Sequence, residues 1–125
     1  MSKSKERIKK NGEVFTPIWL VDEMLDKLPE DVWDENKTWL EPSAGDGNFV
    51  ERIVERRLEL GHDKYKILET TFAVELMADN VQKMKDRVLT VLNLKDDAEA
   101  NRLINKNIRQ GNFLEIDVET FFDEV

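Results

Sequence analysis

Apolar residues recur along this chain with helical spacing in three stretches, each of which predicts an amphipathic helix, and a capping signal predicts a fourth, short helix. In the first, Thr16 is expected to be the N-cap and Pro17 the first helical residue, and Pro29 ends the helix. Its predicted apolar face consists of Leu20, Val21, Met24, Leu25 and Leu28.

Three further helices are predicted after the first. The second has Asn48 as its predicted cap, Glu51 in a capping-box position and Gly61 as its terminator. The fourth is a short helix from a cap at Asp96 to about Asn105. The polar stretch from Gly61 to Lys66, which includes His62, is expected to be a solvated loop. The apolar positions are Phe49, Val50, Ile53, Val54 and Leu58 in the second helix and Met77, Val81, Met84 and Val88 in the third.

Short β-branched or aromatic runs separate these helices. Residues 38–42, 70–75 and 108–110 are predicted strands. Strands that alternate with helices indicate an α/β fold, here a Rossmann-like parallel sheet with flanking helices and about three strands. Trp33, Phe121 and Phe122 are expected to fold back onto the core. Ligands bind at the carboxyl ends of such strands, so the residues following each strand are the candidate site.

Composition narrows the class of protein. The chain has 125 residues, enough for one domain, and no cysteine, which excludes disulfides and thiolate chemistry. Its net charge is −8, but residues 1–10 carry +4 and the remainder −12. We therefore expect a basic arm over 1–11 and an acidic domain over 12–125, which is unsuited to strong DNA binding by itself. No apolar run reaches membrane-spanning length and no signal peptide is visible, so a cytoplasmic location is expected.

The segment that leads from the first strand into the second helix carries the most chemical information. Leu40-Glu41-Pro42-Ser43-Ala44-Gly45-Asp46-Gly47 places two glycines between acids at a helix N-terminus. A dinucleotide loop would require a third glycine where Val50 stands, and a P-loop would require a lysine. Acids would repel a phosphate, so the loop suits a cationic nucleoside such as S-adenosylmethionine. The alternative is an ordinary strand-to-helix turn.

Two further strand ends offer suitable polar groups. Glu75 ends the second strand, where a carboxylate can accept hydrogen bonds from both ribose hydroxyls. Asn112 follows the third strand and can both donate to and accept from an adenine edge. Each also has a plainer interpretation: Glu75 as an acid that favours the helix dipole, and Asn112 as part of a Gly-Asn turn.

These segments together resemble class I S-adenosylmethionine-dependent methyltransferases, specifically the N6-adenine DNA methyltransferases of restriction-modification systems. Gly12-Glu13-Val14-Phe15-Thr16-Pro17 resembles the family's N-terminal cofactor motif, Leu40 to Phe49 its glycine loop and Ala73-Val74-Glu75-Leu76 its ribose-binding segment. Gly111-Asn112-Phe113-Leu114 resembles the adenine-contacting segment, where Asp is commoner. The cofactor-binding residues that the resemblance implies are Phe15, Thr16, Pro17, Glu41, Pro42, Ser43, Ala44, Gly45, Gly47, Glu75, Leu76, Asn112 and Phe113. Among them, Glu41 is expected to face the methionine ammonium.

The family's methyl-transfer motif is not present in this sequence. That motif places Asp or Asn before two prolines and an aromatic residue, whereas Pro17, Pro29 and Pro42 are all isolated. We therefore expect the cofactor-binding part of an enzyme whose complete form acts on DNA, with no catalytic or metal-binding residue in this chain. A non-catalytic regulatory or decoy module that works with a partner chain, and part of an RNA or protein methyltransferase, remain alternatives. The open edge of the first strand further predicts a homodimer or a partner chain.

Overall fold

The structure, a computed structural model, describes residues 15–123. Nothing is described for the predicted basic arm, residues 1–11, or for the Gly12-Glu13-Val14 part of the N-terminal motif; both lie outside the described residues. Six α-helices and three strands make up the described part of the chain. The helices are α1 (Ile18–Asp26), α2 (Asn48–Glu59), α3 (Lys64–Thr70), α4 (Ala78–Leu92), α5 (Ala98–Asn107) and α6 (Val118–Phe121), and the strands are β1 (Trp39–Glu41), β2 (Thr71–Glu75) and β3 (Ile108–Gln110). Two 3₁₀ turns, Glu30–Trp33 and Phe113–Glu115, connect them.

The strands form one parallel sheet in the order β1-β2-β3. Leu40 lies opposite Phe72, and Glu75 lies opposite Gln110. All three strands therefore end at the same edge of the sheet, as the α/β prediction requires. The prediction of a parallel sheet with flanking helices is confirmed, and the predicted strands shorten by at most two residues.

The main core lies between the sheet and the helices that connect its strands. β2 is buried along nearly its whole length, because Ala73 and Val74 are both inaccessible to solvent. The apolar faces predicted for the second and third helices contribute Val50, Val54, Val81, Met84 and Val88 to this core, and α3, α5 and β3 contribute much of the rest. This core includes Val50, Val54, Ile67, Leu68, Val81, Met84, Val88, Leu92, Ile104 and Ile108.

A smaller apolar cluster joins α1 to α2 and β1. Val21 and Leu25 of α1 pack there, and the Trp33 ring lies 4.8 Å from the Trp39 ring. The expectation that Trp33 folds back is therefore confirmed. Met24 is 46% exposed, however, so the predicted apolar face of α1 is wider than the face it buries.

The phenylalanines near the end of the chain also reach the core, as predicted. Phe122 is buried and meets Phe72 edge to face, with ring centroids 4.9 Å apart. Phe121 packs against Phe122 and beneath the Arg109 guanidinium. The segment after β3 therefore returns across the sheet at β2.

Three predicted caps are displaced by one residue. Pro17, not Thr16, is the N-cap of α1, and its carbonyl accepts the first helical hydrogen bonds. Gly47, not Asn48, is the N-cap of α2, because the Asn48 side chain is bonded elsewhere. Asp97, not Asp96, caps α5 by accepting a bond from the Ala100 amide.

The segment after α2 differs most from the sequence prediction. Gly61 terminates α2 as predicted, with φ +86° and a Schellman pair of bonds, His62 N to Arg57 O and Gly61 N to Leu58 O. The predicted loop from Gly61 to Lys66 ends early, because α3, which Asp63 caps, begins at Lys64. His62 is half-buried and its Nδ1 accepts a bond from Arg57, so it is not a freely solvated residue.

Arg57 holds the segment between α2 and β2 in place. Its side chain is fully buried, and it donates to Thr70, Thr71, the Glu35 carbonyl and His62. Burial lowers the pKa of Arg57, an effect that the nearby Glu35 carboxylate partly offsets. Arg57 thus binds α2, α3 and the start of β2 together, at the amino edge of the sheet.

No helix within residues 15–123 is long and apolar enough to span a membrane.

Candidate functional site

The glycine loop, residues 42–47, follows β1 directly and lies across the end of β2. The Ala44 amide donates to the Val74 carbonyl at 3.0 Å, and the Gly45 amide donates to Glu75 Oε1 at 3.1 Å. Gly45 and Gly47 both adopt positive φ, at +57° and +98°. The loop is therefore held onto the carboxyl edge of the sheet by its own backbone.

Each loop glycine also has a packing reason to lack a side chain. A Cβ at Gly45 would lie 2.9 Å from the Phe15 ring, and one at Gly47 would lie 2.8 Å from Met84 Cγ. These contacts require glycine even without a ligand. The prediction that the two glycines admit a cofactor stays a prediction.

Glu75 is the centre of the hydrogen bonding at this edge. It is only 5% exposed, and its second oxygen, Oε2, accepts from the Met77 amide and from Asn80 Nδ2, both at 3.0 Å. With the Gly45 bond this makes three donors, which leaves about one acceptor position of the roughly four on a carboxylate. Glu75 therefore stabilises the loop and the start of α4 in this structure.

The N-terminal motif residues lie against the same loop. Phe15 is half-buried with its ring on Gly45, and Pro17 is exposed. The Thr16 carbonyl accepts a 2.7 Å bond from Asn48 Nδ2, at the first residue of α2. The structure thus brings together the motif before α1, the glycine loop and Glu75, which were predicted separately.

Arg87 of α4 joins this assembly from the side. Its guanidinium donates to the Asp46 carbonyl at 3.0 Å, to Asn48 Oδ1 at 3.1 Å and to the Glu51 carboxylate at 2.7 Å. The Glu51 carboxylate raises the pKa of Arg87 further, so the guanidinium remains charged. Arg87 consequently fixes the loop and the start of α2 relative to α4.

The acids at the loop are neutralised unequally. Asp46 Oδ2 lies 3.4 Å from Arg87, but Asp46 Oδ1 is buried without a hydrogen-bond partner among the described residues. Glu41 accepts one bond, from the Ser43 amide at 3.2 Å, and makes no salt bridge with any cation of residues 15–123. Burial raises the pKa of Glu41, which that hydrogen bond partly counters. The loop therefore presents excess negative charge, which favours a cationic ligand.

The remaining predicted site residues lie at the same edge. Pro42 and Ser43 are exposed, whereas Ala44 is buried under the loop. Leu76 is 46% exposed, and its carbonyl accepts from Gln110 Nε2 at 3.1 Å. Asn112 Oδ1 accepts from the Leu114 amide and caps the turn that contains Phe113. The side-chain oxygen of Asn112 therefore stabilises a turn, as the plainer interpretation expects. The contact of Asn112 with an adenine stays a prediction.

Sequence reasoning missed three residues that organise this edge: Asn48, Asn80 and Arg87. Asn48 was assigned to a cap, and Arg87 lies 41 positions from the carbonyl that it binds. No local pattern signals such a pairing. No group of three or more His, Asp or Glu side chains suited to a metal ion occurs within residues 15–123.

Comparison with known proteins leaves the site to be judged on its own chemistry. No protein-family model matches the chain, and no curated protein or solved structure is significantly similar to it.

Proposed function

We propose that this chain is the S-adenosylmethionine-binding portion of an adenine-N6 DNA methyltransferase with a Rossmann-like fold. The observation that carries the proposal is the convergence of Phe15, Gly45 and Glu75, which come from three separate segments that resemble the family's cofactor motifs. The Phe15 ring lies against Gly45, and the Gly45 amide bonds to Glu75.

The charges at the loop agree with the chemistry of this cofactor. S-adenosylmethionine carries an ammonium and a sulfonium, and Glu41 offers a half-buried carboxylate with no cationic partner among the described residues. An ammonium near Glu41 would restore favourable electrostatics to a desolvated anion. When bound, the cofactor supplies the methyl group.

The nucleoside end would be held by the two other strand ends. The Glu75 carboxylate has about one acceptor position left, which can bind one ribose hydroxyl. A second acceptor position becomes available if the ribose displaces the Gly45 amide. Asn112 and Phe113 would border the adenine. Thr16 and Pro17 would line the methionine end through their backbone.

Calorimetric titration of the chain with S-adenosylmethionine and with 5′-methylthioadenosine tests the proposal. We expect micromolar binding of the cofactor, about −8 kcal/mol. Glu41→Gln should weaken binding of the cofactor by roughly tenfold, or about 1.4 kcal/mol, because the ammonium loses its charged partner. Binding of methylthioadenosine, which has no ammonium, should be unchanged by that substitution.

Two results would contradict the proposal. One is no binding of either ligand to a chain whose circular dichroism shows it to be folded. The other is an equal loss of affinity for both ligands in Glu41→Gln, which would show that Glu41 does not meet the ammonium. Glu69→Gln makes the same change of charge at an exposed residue just before β2, at the opposite edge of the sheet, and controls for the general effect of lowering the negative charge.

A further inference from the structure

The two oxygens of the Glu75 carboxylate have different surroundings. Oε2 accepts hydrogen bonds from the Met77 amide and from Asn80 Nδ2, both at 3.0 Å. Among the donors of residues 15–123, only the Gly45 amide bonds to Oε1, at 3.1 Å. Because each carboxylate oxygen accepts about two hydrogen bonds, Oε2 is fully occupied and Oε1 has about one position left.

Asn80 determines which of these oxygens faces a ligand. It lies in the first turn of α4, and its side chain is inaccessible to solvent. Oε2, which contacts Asn80, therefore points towards the start of α4, whereas Oε1 points towards the glycine loop. Glu75 itself is only 5% exposed, so little of the carboxylate is open to a ligand. The acceptor position that remains lies on Oε1, beside Gly45.

This arrangement restricts how Glu75 can bind a ribose. A ribose offers two adjacent hydroxyls, and a carboxylate binds both by accepting one hydroxyl on each oxygen. That pairing needs an open position on Oε2, which the Met77 amide and Asn80 occupy. Displacement of the Gly45 amide would open only a second position on Oε1, so both hydroxyls would compete for one oxygen.

The glycine loop also resists that displacement. The Ala44 amide, next to Gly45, donates to the Val74 carbonyl at 3.0 Å and fixes the loop on the end of β2. The Gly45 amide would lose its acceptor if a hydroxyl took its place on Oε1. We therefore expect the Gly45 amide to stay bonded and Oε1 to accept a single hydroxyl.

We propose that Asn80 is a positioning residue that restricts Glu75 to one ribose hydroxyl, so that the site also binds adenine nucleosides that lack the other hydroxyl. The class of ligand is then wider than ribonucleosides and includes deoxyadenosine derivatives. Asn80 acts through Glu75 and does not itself contact the ligand. The inference rests on the proposed function, because it takes Glu75 to be the acid that binds the ribose.

Calorimetric titration of the unmodified chain with three nucleosides tests the inference. The ligands are 5′-methylthioadenosine and its 2′-deoxy and 3′-deoxy analogues. We expect one analogue to bind at least about tenfold more weakly than methylthioadenosine, because a hydrogen bond to a carboxylate is lost. The other analogue, whose missing hydroxyl has no partner on Glu75, should bind within about threefold of methylthioadenosine.

Asn80→Leu tests the role of Asn80 itself. Leucine has a similar size but no donor, so Oε2 gains an open position and the second hydroxyl gains a partner. The analogue that the unmodified chain tolerates should then bind at least about tenfold more weakly than methylthioadenosine. A merely structural role of Asn80 would instead weaken the binding of both ligands equally and leave their ratio unchanged.

Asn107→Leu is the matched control. Asn107 is also a buried asparagine, only 3% exposed, and its Nδ2 donates to the Leu68 carbonyl at 2.9 Å. It lies at the end of α5, just before β3 begins, and thus at the opposite edge of the sheet from Glu75. Asn107→Leu should leave the ratio of the two affinities unchanged, even where it lowers the stability of the fold.

Three results would overturn this inference alone. They are a loss of at least about tenfold with both analogues on the unmodified chain, a loss with neither, and an unchanged ratio in Asn80→Leu that circular dichroism shows to be folded. If Asn80→Leu does not fold, the comparison of the two analogues on the unmodified chain still decides. No binding of methylthioadenosine itself would overturn the inference and the proposed function together.

Discussion

Gly47→Ala is the substitution whose cost the structure defines best. Two effects add at this position. The backbone of Gly47 has φ +98°, a conformation that costs an L-residue about 1–2 kcal/mol. The new methyl group would also lie 2.8 Å from Met84 Cγ and 3.0 Å from Met84 Cβ. Met84 is a buried residue of α4 in the main core. Forcing a methyl group into a packed core costs about 1–3 kcal/mol.

The sum is about 2–5 kcal/mol out of a total stability of about 5–15 kcal/mol. For a domain of 125 residues, 1 kcal/mol corresponds to about 4 °C in Tm. We therefore expect Gly47→Ala to lower Tm by roughly 8–20 °C in differential scanning calorimetry without ligand. Urea titration at 25 °C should show a lower midpoint with an unchanged slope.

Gly61→Ala is the matched control. Gly61 has φ +86°, but a Cβ there has no heavy atom within 4 Å. Gly61→Ala therefore has only the cost of the positive φ, and the Tm of this variant should fall by roughly 4–8 °C. In a double-mutant cycle, Met84→Ala removes the Cγ contact at 2.8 Å but keeps the Cβ contact at 3.0 Å. The cycle should therefore recover part of the packing cost of about 1–3 kcal/mol. Equal Tm losses at the two glycines, or a cycle with no coupling, would contradict the packing of Met84 against Gly47.

Three further predictions concern single side chains and can be checked by the same unfolding measurements. Glu75→Gln should destabilise the ligand-free chain by about 1–3 kcal/mol, because its amide nitrogen must face one of three N–H donors; an unchanged midpoint would contradict this. Burial raises the pKa of Glu41 in the folded chain, so protonated Glu41 stabilises the fold relative to ionised Glu41. This contribution to the free energy of unfolding is lost as the pH rises through the folded pKa. Glu41→Gln should therefore raise Tm at pH 7, and the difference should vanish below about pH 4; a difference that persists in acid would contradict it. Arg57→Met should cost about 1–3 kcal/mol, because four buried or half-buried acceptors lose their donor; stability equal to that of the unmodified chain would show that packing alone holds α3.

The sequence patterns located the strands and the edge where the candidate site lies because both depend on local signals. β3 was predicted with its observed bounds, β1 is one residue shorter than predicted at each end, and β2 begins one residue later than predicted. Gly61 was recognised as a terminator because only glycine readily adopts its positive φ. The three segments that resemble cofactor motifs follow strands of a parallel sheet, so their proximity followed from the topology.

The errors arose where neighbouring residues compete or where the partner is distant in sequence. Asp96 and Asp97 can both cap a helix, and only the fold decides that Asp97 does. Asn48 has the chemistry of a cap, but Thr16 and Arg87, both more than 30 residues away, engage its side chain. Helix α3 was missed because its first turn is polar; Asp63 as a cap before Ile67 and Leu68 is the signal that was overlooked.

The most direct test of cofactor binding at the glycine loop is an NMR titration of ¹⁵N-labelled protein with S-adenosylmethionine. The chain has only five glycines, whose amides resonate in a sparsely populated spectral region. Gly45, Gly47 and Gly111 lie at the candidate site, whereas Gly61 lies beyond α2 at the other end of that helix. We expect saturable shifts of the first three amides and no shift of Gly61. A folded spectrum in which no glycine responds, or in which Gly61 responds as strongly as Gly45, would contradict it.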